Sequence, residues 1–401
     1  METNVAAAQD GAGGRVLLVH DRLGHPFPVG LSHELARRGR SVTHLYGADG
    51  PGPRGDLRER PGGARLRAVG EHDEQAGPRD PSGPGPASYA AAVRRACLRA
   101  AGEWRADGAG GRVTLLSANA RPQVQAALLA TARAQGWRYV YWLQDVYGAA
   151  PAADPRTAAC ESDTLRGSDH VVAVTDGFAG AAYARGVPRE RVSVIPNWAA
   201  EETGGNGAAA HWEPAARFAA AGDPVLLYAG TLDDRHAPGL LADLAALCAR
   251  EGLGQVVVVS QGSGRELLER RRGAEDLTRL TLLDVRPYAE VPAMLAAADV
   301  LLVTLAHDAA HVSAPSKLLA CLAAGRCVLA AAPPGSESAR VLTASGGGLL
   351  ADPADPAAVT AAALRLLRDP ALRASLGRAG HAWARDAFDV RAVADRFTAV
   401  L

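Results

Sequence analysis

Short apolar runs recur along this chain, spaced so that one helix fits between each pair. Arg15-Val16-Leu17-Leu18-Val19-His20 is apolar without alternation, as expected of a strand buried on both faces. Leu31 to Arg38 has helical spacing and is closed by Gly39, and Ser41 to Tyr46 returns as a strand. Strand, helix and strand in that order predict a parallel sheet flanked by helices. Gly47 to Ser88 is rich in Gly, Pro, Arg and acids, so irregular surface loops and short segments are expected there. A helix is predicted from Tyr89 to Arg105. Strands are predicted at Val113–Ser117, Tyr139–Leu143, His170–Val174 and Val192–Ile195, with helices between them.

The pattern breaks after Pro196-Asn197. Trp198 to Asp223 is rich in Gly, Ala and Glu without strand character, and reads as a linker. A second series follows, with strands at Val225–Ala229, Gln255–Ser260, Leu280–Leu283, Val300–Thr304, Cys327–Ala332 and Gly348–Leu350. Helices near Asp355–Leu367, Pro370–Ala384 and Val390–Val400 close the chain. The expected class is α/β, with two doubly wound parallel-sheet domains. Residues 1–14 form a disordered tail, 15–197 the first domain, 198–223 the linker and 224–384 the second domain. Residues 385–401 form a C-terminal helix packing back on the first. Such sheets bind ligands at the carboxyl ends of their strands, so a cleft between two facing domains is the expected site.

Composition narrows the class. A hydrophobic share of 48% with 21% charged residues describes an ordinary soluble globular protein. The formal net charge is zero, which argues against nucleic acid as the main partner. Residues 1–200 hold 24 Arg against 20 acids, and the remainder 19 basic residues against 23 acids. The first half therefore favours an anionic partner. Cys97, Cys160, Cys248, Cys321 and Cys327 show no zinc or redox spacing, and are expected as reduced thiols of a cytoplasmic protein. The N-terminus lacks the apolar core of a signal peptide, and the longest apolar stretch, Val291 to Ala306, is split by Asp299. Any membrane contact is expected to be peripheral, at the inner face.

The chain's one lysine, Lys317, stands among 43 basic residues. A position that stays Lys in an Arg-rich chain is a candidate for one that the planar guanidinium cannot fill. Pro315-Ser316 marks a helix start, and Ala324-Gly325 its end. Lys in a first turn opposes the helix dipole unless an anion binds there, in which case Lys and the free N–H groups both face it. The plainer alternative is a solvated surface Lys. Gly230 ends one strand and Gln261-Gly262-Ser263-Gly264 ends the next, as turns or as places where a ligand approaches the backbone. In Asp284-Val285-Arg286-Pro287-Tyr288, Pro287 keeps Arg286 extended, leaving backbone groups able to read a flat base. The first strand leads into His20-Asp21-Arg22-Leu23-Gly24 rather than Gly-x-Gly-x-x-Gly, which argues against a dinucleotide enzyme. No metal site is expected: there is no Asp-x-Asp or His cluster at a strand end, and Asp233-Asp234 reads as helix-capping carboxylates.

Ser168-Asp169-His170-Val171-Val172-Ala173-Val174, Gly186-Val187-Pro188 and Val194-Ile195-Pro196-Asn197 together resemble the end of the first domain of family-4 GT-B glycosyltransferases. Leu227-Tyr228-Ala229-Gly230 resembles the opening of their donor domain, Val285 to Asp299 their base-reading loop and helix, and Pro315-Ser316-Lys317-Leu318-Leu319 with Ala323-Ala324-Gly325 their donor-phosphate helix. Gln144-Asp145 after a strand, with Pro-Ser-Lys, points to the branch that builds bacterial surface polysaccharides. The resemblance implies a retaining, metal-independent hexosyltransferase. A nucleotide-sugar donor is its substrate, no cofactor is required, and the acceptor is a glycan, a lipid-linked sugar or a small molecule. It places Lys317 with the N–H groups of Ser316 and Lys317 at the leaving diphosphate, Arg235 or His236 opposite, and Thr231 and Gly262 in the donor loops. Val285 and Arg286 fall at the base, Ser313 and Ala314 at the sugar, Asp145 at the acceptor or sugar, and Asn197 at the domain junction. The chain departs from the family where two Glu residues are usual, at Val312 and Ala320, and where Arg and Lys usually follow the first donor-domain glycine. Each lost charged hydrogen bond costs about 1.5–3 kcal/mol. Two alternatives therefore stand: a non-catalytic relative acting as partner or regulator, and a sugar-nucleotide epimerase.

Overall fold

The computed structural model describes residues 14–20, 26–48, 57–59, 61–69, 86–108, 111–118, 120–149, 154–198, 212–287, 290–307, 316–387 and 389–401. Contacts divide the chain into two compact units. One comprises Met1–Val174, Ala179–Ile195 and Ala394–Leu401; the other comprises Thr175–Phe178 and Pro196–Val393.

Among the described residues the first unit holds seven strands: β1 (Arg15–His20), β2 (Ser41–Gly47), β3 (Arg65–Val69), β4 (Val113–Ala118), β5 (Arg138–Leu143), β6 (His170–Ala173) and β7 (Val192–Val194). They lie side by side in the order β3-β2-β1-β4-β5-β6-β7, with every pairing parallel. The chain winds outward from β1 to β3, then restarts at β4 on the other side of β1. The carboxyl ends of β1 and β4 thus mark the switch point of the sheet. β1 is buried along its whole length, which is why its sequence shows no polar alternation. Helices Pro122–Gln135 and Pro155–Gly167 each open on proline, and the first closes on Gly136 in the left-handed region.

Two expectations need correction here. The stretch read as irregular between Gly47 and Ser88 contains β3, paired in register with β2 from Thr43↔Arg65 onward. It is an edge strand interrupted by Arg65 and Arg67, whose guanidinium groups reach Glu103. Charge on an edge strand hinders unwanted pairing and also erases the apolar signature. The first helix runs Pro26–Arg37, starting before Leu31 because Pro26 can open it.

The second unit repeats the plan with β8 (Val225–Ala229), β9 (Gln255–Val259), β10 (Leu280–Leu283), β11 (Val300–Thr304), β12 (Cys327–Ala331) and β13 (Gly348–Ala351). Their order is β10-β9-β8-β11-β12-β13, again parallel, with the switch point between β8 and β11. Leu226, Val256, Val258, Val300 and Leu302 pack with Leu241, Leu244 and Leu366 from the covering helices into one core. Part of the expected linker is ordered. Pro214–Ala221 is a helix, and Trp198 and Trp212 are buried, with Trp212 centred 5.7 Å from Phe218. The Ala-rich composition hid a helix that Trp212 contacts through Phe218.

The last residues belong to the first unit. Phe397 meets Trp142 edge-on at 4.9 Å, Thr114 Oγ1 donates to the Leu401 carbonyl at 2.8 Å, and Arg138 donates to the Val400 carbonyl. All five cysteines are unpaired, four of them buried and Cys160 partly so. Among the described residues no helix is long and apolar enough to cross a membrane.

Candidate active site

In the second unit, β8 ends at Gly230, whose φ is +126°. Its N–H donates to the Val259 carbonyl at 3.0 Å, and Leu232 N–H donates to the Gln261 carbonyl at 2.9 Å, so the loops after β8 and β9 are sewn together. A Cβ at Gly262, where φ is +108°, would stand 2.6 Å from the Leu232 carbonyl oxygen. Glycine is therefore required there to let the two loops touch. The β8 loop then makes one 3-10 turn, Asp234–His236, capped by Asp233. Asp233 accepts from the Arg235 backbone N–H at 3.1 Å, from the Arg235 guanidinium at 2.8 Å and contacts His236 Nδ1 at 2.8 Å. The end of β11 clamps the turn: Thr304 Oγ1 donates to the His236 carbonyl at 2.5 Å, and Ala306 N–H to the Arg235 carbonyl at 2.7 Å. These bonds hold Ala237 in the left-handed region at φ +45°, a conformation that costs a non-glycine residue about 1–2 kcal/mol.

Lys317 projects into this framework from the first turn of helix Ser316–Ala323. Its stem fills the space beside Gly230, where a Cβ would lie 3.3 Å from Lys317 Cε. The glycine therefore makes room for the lysine as well as for any ligand. The ammonium lies 3.8 Å from the centroid of the Tyr228 ring and donates to the Tyr228 hydroxyl. That hydroxyl donates onward to the Thr231 carbonyl at 2.8 Å. Lys317 is thus neither the solvated surface residue of the plain alternative nor an exposed helix-start residue. Burial lowers its pKa to about 7, against the opposing influence of Cys321 and Asp233. Burial, then the charge of Lys317, pushes His236 down to about 4, although Asp233 supports its charged form. His236 is therefore neutral near pH 7. Burial raises the Tyr228 phenol well above its usual range, which keeps its proton in the bond to Thr231. The direct contact of the Lys317 ammonium is a neutral phenol, with the neutral His236 imidazole and the Asp233 carboxylate acting on it from the β8 loop. That leaves it poised for an anion.

The other expected donor residues are placed as follows. Thr231 and Gly262 are exposed in the two sewn loops, and Ser316 is partly buried at the helix start. The Arg235 guanidinium rests on Asp233. Val285 is half-exposed beyond β10, and Arg286 is spread on Glu290 at 2.9 Å, on the surface. Ala320 lies on the Lys317 helix and offers no carboxylate. Val312, Ser313 and Ala314 fall outside the described residues. Sequence reasoning missed Tyr228 as a site residue and saw Asp233 only as a cap. The available signal was an aromatic residue in an otherwise aliphatic strand, two positions before the glycine.

In the first unit Gln144 and Asp145 follow β5. The loop carrying them is held by Glu161, which is wholly buried and was not singled out in the sequence. Its carboxylate accepts the backbone N–H groups of Tyr147 and Gly148 at 2.9 Å each, and Arg185 stands 3.6 Å away. Gln144 is buried, and its Nε2 has no hydrogen-bond partner among the described residues. Nearby in the fold, His20 at the end of β1, His44 on β2 and His33 on helix Pro26–Arg37 influence one another electrostatically. The sequence reading found no histidine cluster, because these residues come from three separate elements. They do not form a metal-ligand set among the described residues. Asn197 is buried, with its Oδ1 unpartnered among the described residues.

Comparison with known proteins agrees with this architecture. Residues 27–198 match the family described as Glycosyl transferase 4-like domain, and residues 223–369 match Glycosyl transferases group 1. Compared with curated proteins by sequence, the chain matches none. Among solved structures it is similar to sucrose-phosphate synthase from Thermosynechococcus elongatus, with 18% identity, a TM-score of 0.70, and coverage of 96% of this chain and 98% of that one. It is similar to Anabaena HepE in complex with UDP-glucose, with 15% identity, a TM-score of 0.68, and coverage of 96% and 98%. It is also similar to WaaG, a glycosyltransferase involved in lipopolysaccharide biosynthesis, with 16% identity, a TM-score of 0.63, and coverage of 97% and 99%. Two parallel, doubly wound sheets and family matches that span both of them place this chain among the family-4 glycosyltransferases of GT-B fold.

Proposed function

We propose that this glycosyltransferase moves a hexose from a uridine-diphosphate donor to an acceptor hydroxyl, with retention of configuration and without a metal ion. The observation that carries the reading is Lys317, fixed beside Gly230 at the carboxyl end of β8, its ammonium in direct contact with the neutral Tyr228 phenol. A diphosphate seated there would take the ammonium and the N–H groups of Ser316 and Lys317. As the sugar leaves, charge grows on the diphosphate oxygen, and a pre-placed cation stabilises it without reorganisation. His236 and Arg235 flank the same position from the β8 loop. Val285 and Arg286 would face the base and Thr231 the phosphates, with Ser313 and Ala314 near the sugar. Val312 and Ala320 supply no carboxylate, so the donor is held through its diphosphate more than through its ribose. The uridine assignment draws on HepE, which binds UDP-glucose. Lys317 supplies the positive charge that a divalent cation supplies elsewhere, which supports metal independence.

Asp145 is assigned to the acceptor side. The excess of arginine in residues 1–200 favours an anionic acceptor, such as a lipid-linked sugar phosphate met at the cytosolic membrane face. Polysaccharide synthesis is the setting this reading favours. The test is hydrolysis and transfer with UDP-hexoses, with and without EDTA, followed by mass spectrometry of nucleotide sugars retained by the protein. Retained UDP-sugar and EDTA-resistant turnover are expected. Activity that vanishes with EDTA and returns with magnesium or manganese overturns metal independence. Indifference to anionic vesicles together with glycosylation of a neutral soluble compound overturns the acceptor assignment.

A further inference from the structure

Tyr228 is fully buried in β8. What packing alone does not require is its hydroxyl. That oxygen donates to the Thr231 carbonyl at 2.8 Å and accepts from Lys317 Nζ, so both of its bonds end on residues of the candidate donor site. The ring adds a third contact, beneath the ammonium at 3.8 Å. Thr231 opens the loop that is sewn to Gln261 and clamped by Thr304, while Lys317 comes from a helix 89 residues further along the chain. One phenol thus joins the two parts of the site that the topology brings together. Its ring also stands T-shaped to the His236 imidazole, centroid to centroid 6.4 Å.

We propose that Tyr228 is a positioning residue of the donor site. Its ring and hydroxyl park Lys317 over the end of β8 and tie the cation to the Thr231 backbone, so that cation and loop meet the diphosphate as one pre-set unit. The inference rests on the reading of Lys317 as the diphosphate contact. The groups facing the ammonium are Tyr228 from β8, Asp233 and His236 from the β8 loop, and Cys321 from its own helix. Among these, Tyr228 is the neutral acceptor in direct contact. A hydrogen bond to the charged form of a group favours that form. Removing the hydroxyl therefore makes Lys317 easier to deprotonate.

Tyr228→Phe keeps the ring and deletes the oxygen. UDP affinity is measured by calorimetry in wild type, Tyr228→Phe, Lys317→Ala and the double variant. The expected result is roughly tenfold weaker binding for Tyr228→Phe alone, and no further loss when Tyr228→Phe is added to Lys317→Ala, as coupling through one residue requires. Losses that add in the double variant overturn the proposal while leaving the diphosphate role of Lys317 intact. Wild type that does not bind UDP overturns both. A second measurement does not depend on ligand. Because Lys317 is the only lysine, selective 13C-lysine labelling gives a single side-chain NMR signal. Its titration midpoint, near neutral in wild type, is expected to fall in Tyr228→Phe. An unmoved midpoint assigns Tyr228 to packing alone.

Discussion

The carboxyl ends of the two sheets each hold a charge taken wholly or partly out of water, and they treat it in opposite ways. In the first unit the charge is the Glu161 carboxylate, wholly buried and met by two backbone N–H groups and a nearby arginine. Its hydrogen-bonding capacity is largely spent inside the protein, and what it holds is a loop. In the second unit the charge is the Lys317 ammonium, met by an aromatic face, a phenol oxygen and a more distant aspartate. Its partners are weak or neutral, and burial lowers its pKa to about 7. A saturated buried charge is structural; an under-satisfied one is a binding site in waiting. Two sheets of the same winding therefore come to serve different ends through the partners given to one charged residue in each.

That contrast can be broken most forcefully at Lys317. Lys317→Ala is expected to lower turnover at saturating donor by about 100-fold or more, the range lost with a pre-organised stabilising group. The variant should remain folded by circular dichroism, with a lower melting temperature because the stem beside Gly230 and the Tyr228 contact are lost. Lys317→Arg should be impaired as well, since a planar fork does not fit over the phenol in the same way. Near wild-type turnover in Lys317→Ala removes the distinction between the two ends.

Glu161→Ala tests the other side. Two buried N–H groups lose their acceptor and Arg185 its partner, so urea denaturation should register a loss of about 3 kcal/mol. Glu161→Gln keeps one acceptor oxygen and should lose less. Nucleotide affinity should be unchanged in any variant that remains folded, because this carboxylate acts on the Gln144–Gly148 loop. A change in UDP affinity as large as that of Lys317→Ala would show that the two ends are not separate in function.

The smallest effect concerns pH. Burial, reinforced by His20 and His33, holds His44 well below its usual 6.5. As pH falls through that value the unfolded chain takes up a proton that the folded first unit refuses. The unfolded state then binds more protons, so stability declines toward lower pH and is regained above it, by at most about 1.4 kcal/mol per pH unit for one group. Denaturation midpoints between about pH 7 and 5 should show this slope, and His44→Gln should flatten it. Lys317 instead changes charge around pH 7, so UDP binding is expected to weaken on the alkaline side while the first unit gains stability. A slope unchanged in His44→Gln would assign the acid sensitivity elsewhere.

The sequence by itself determined most strands of both sheets, because the central ones are buried on both faces and therefore read as unbroken apolar runs between helical segments. It marked Gly230, Gly262 and Lys317 because backbone freedom and a solitary lysine are properties of single positions. It missed β3, where charge on an edge strand masks the pattern, and helix Pro214–Ala221, where alanine gives little contrast between faces. Only the tertiary structure decided which residues surround the lysine. Tyr228 and Lys317 touch because β8 and helix Ser316–Ala323 converge at one switch point, and Glu161, from helix Pro155–Gly167, holds the loop after β5 through the N–H groups of Tyr147 and Gly148. Pattern along a chain reports what each position needs from water. Contact between distant positions, and the shifts in charge that follow from it, are set by the order in which the strands are laid down.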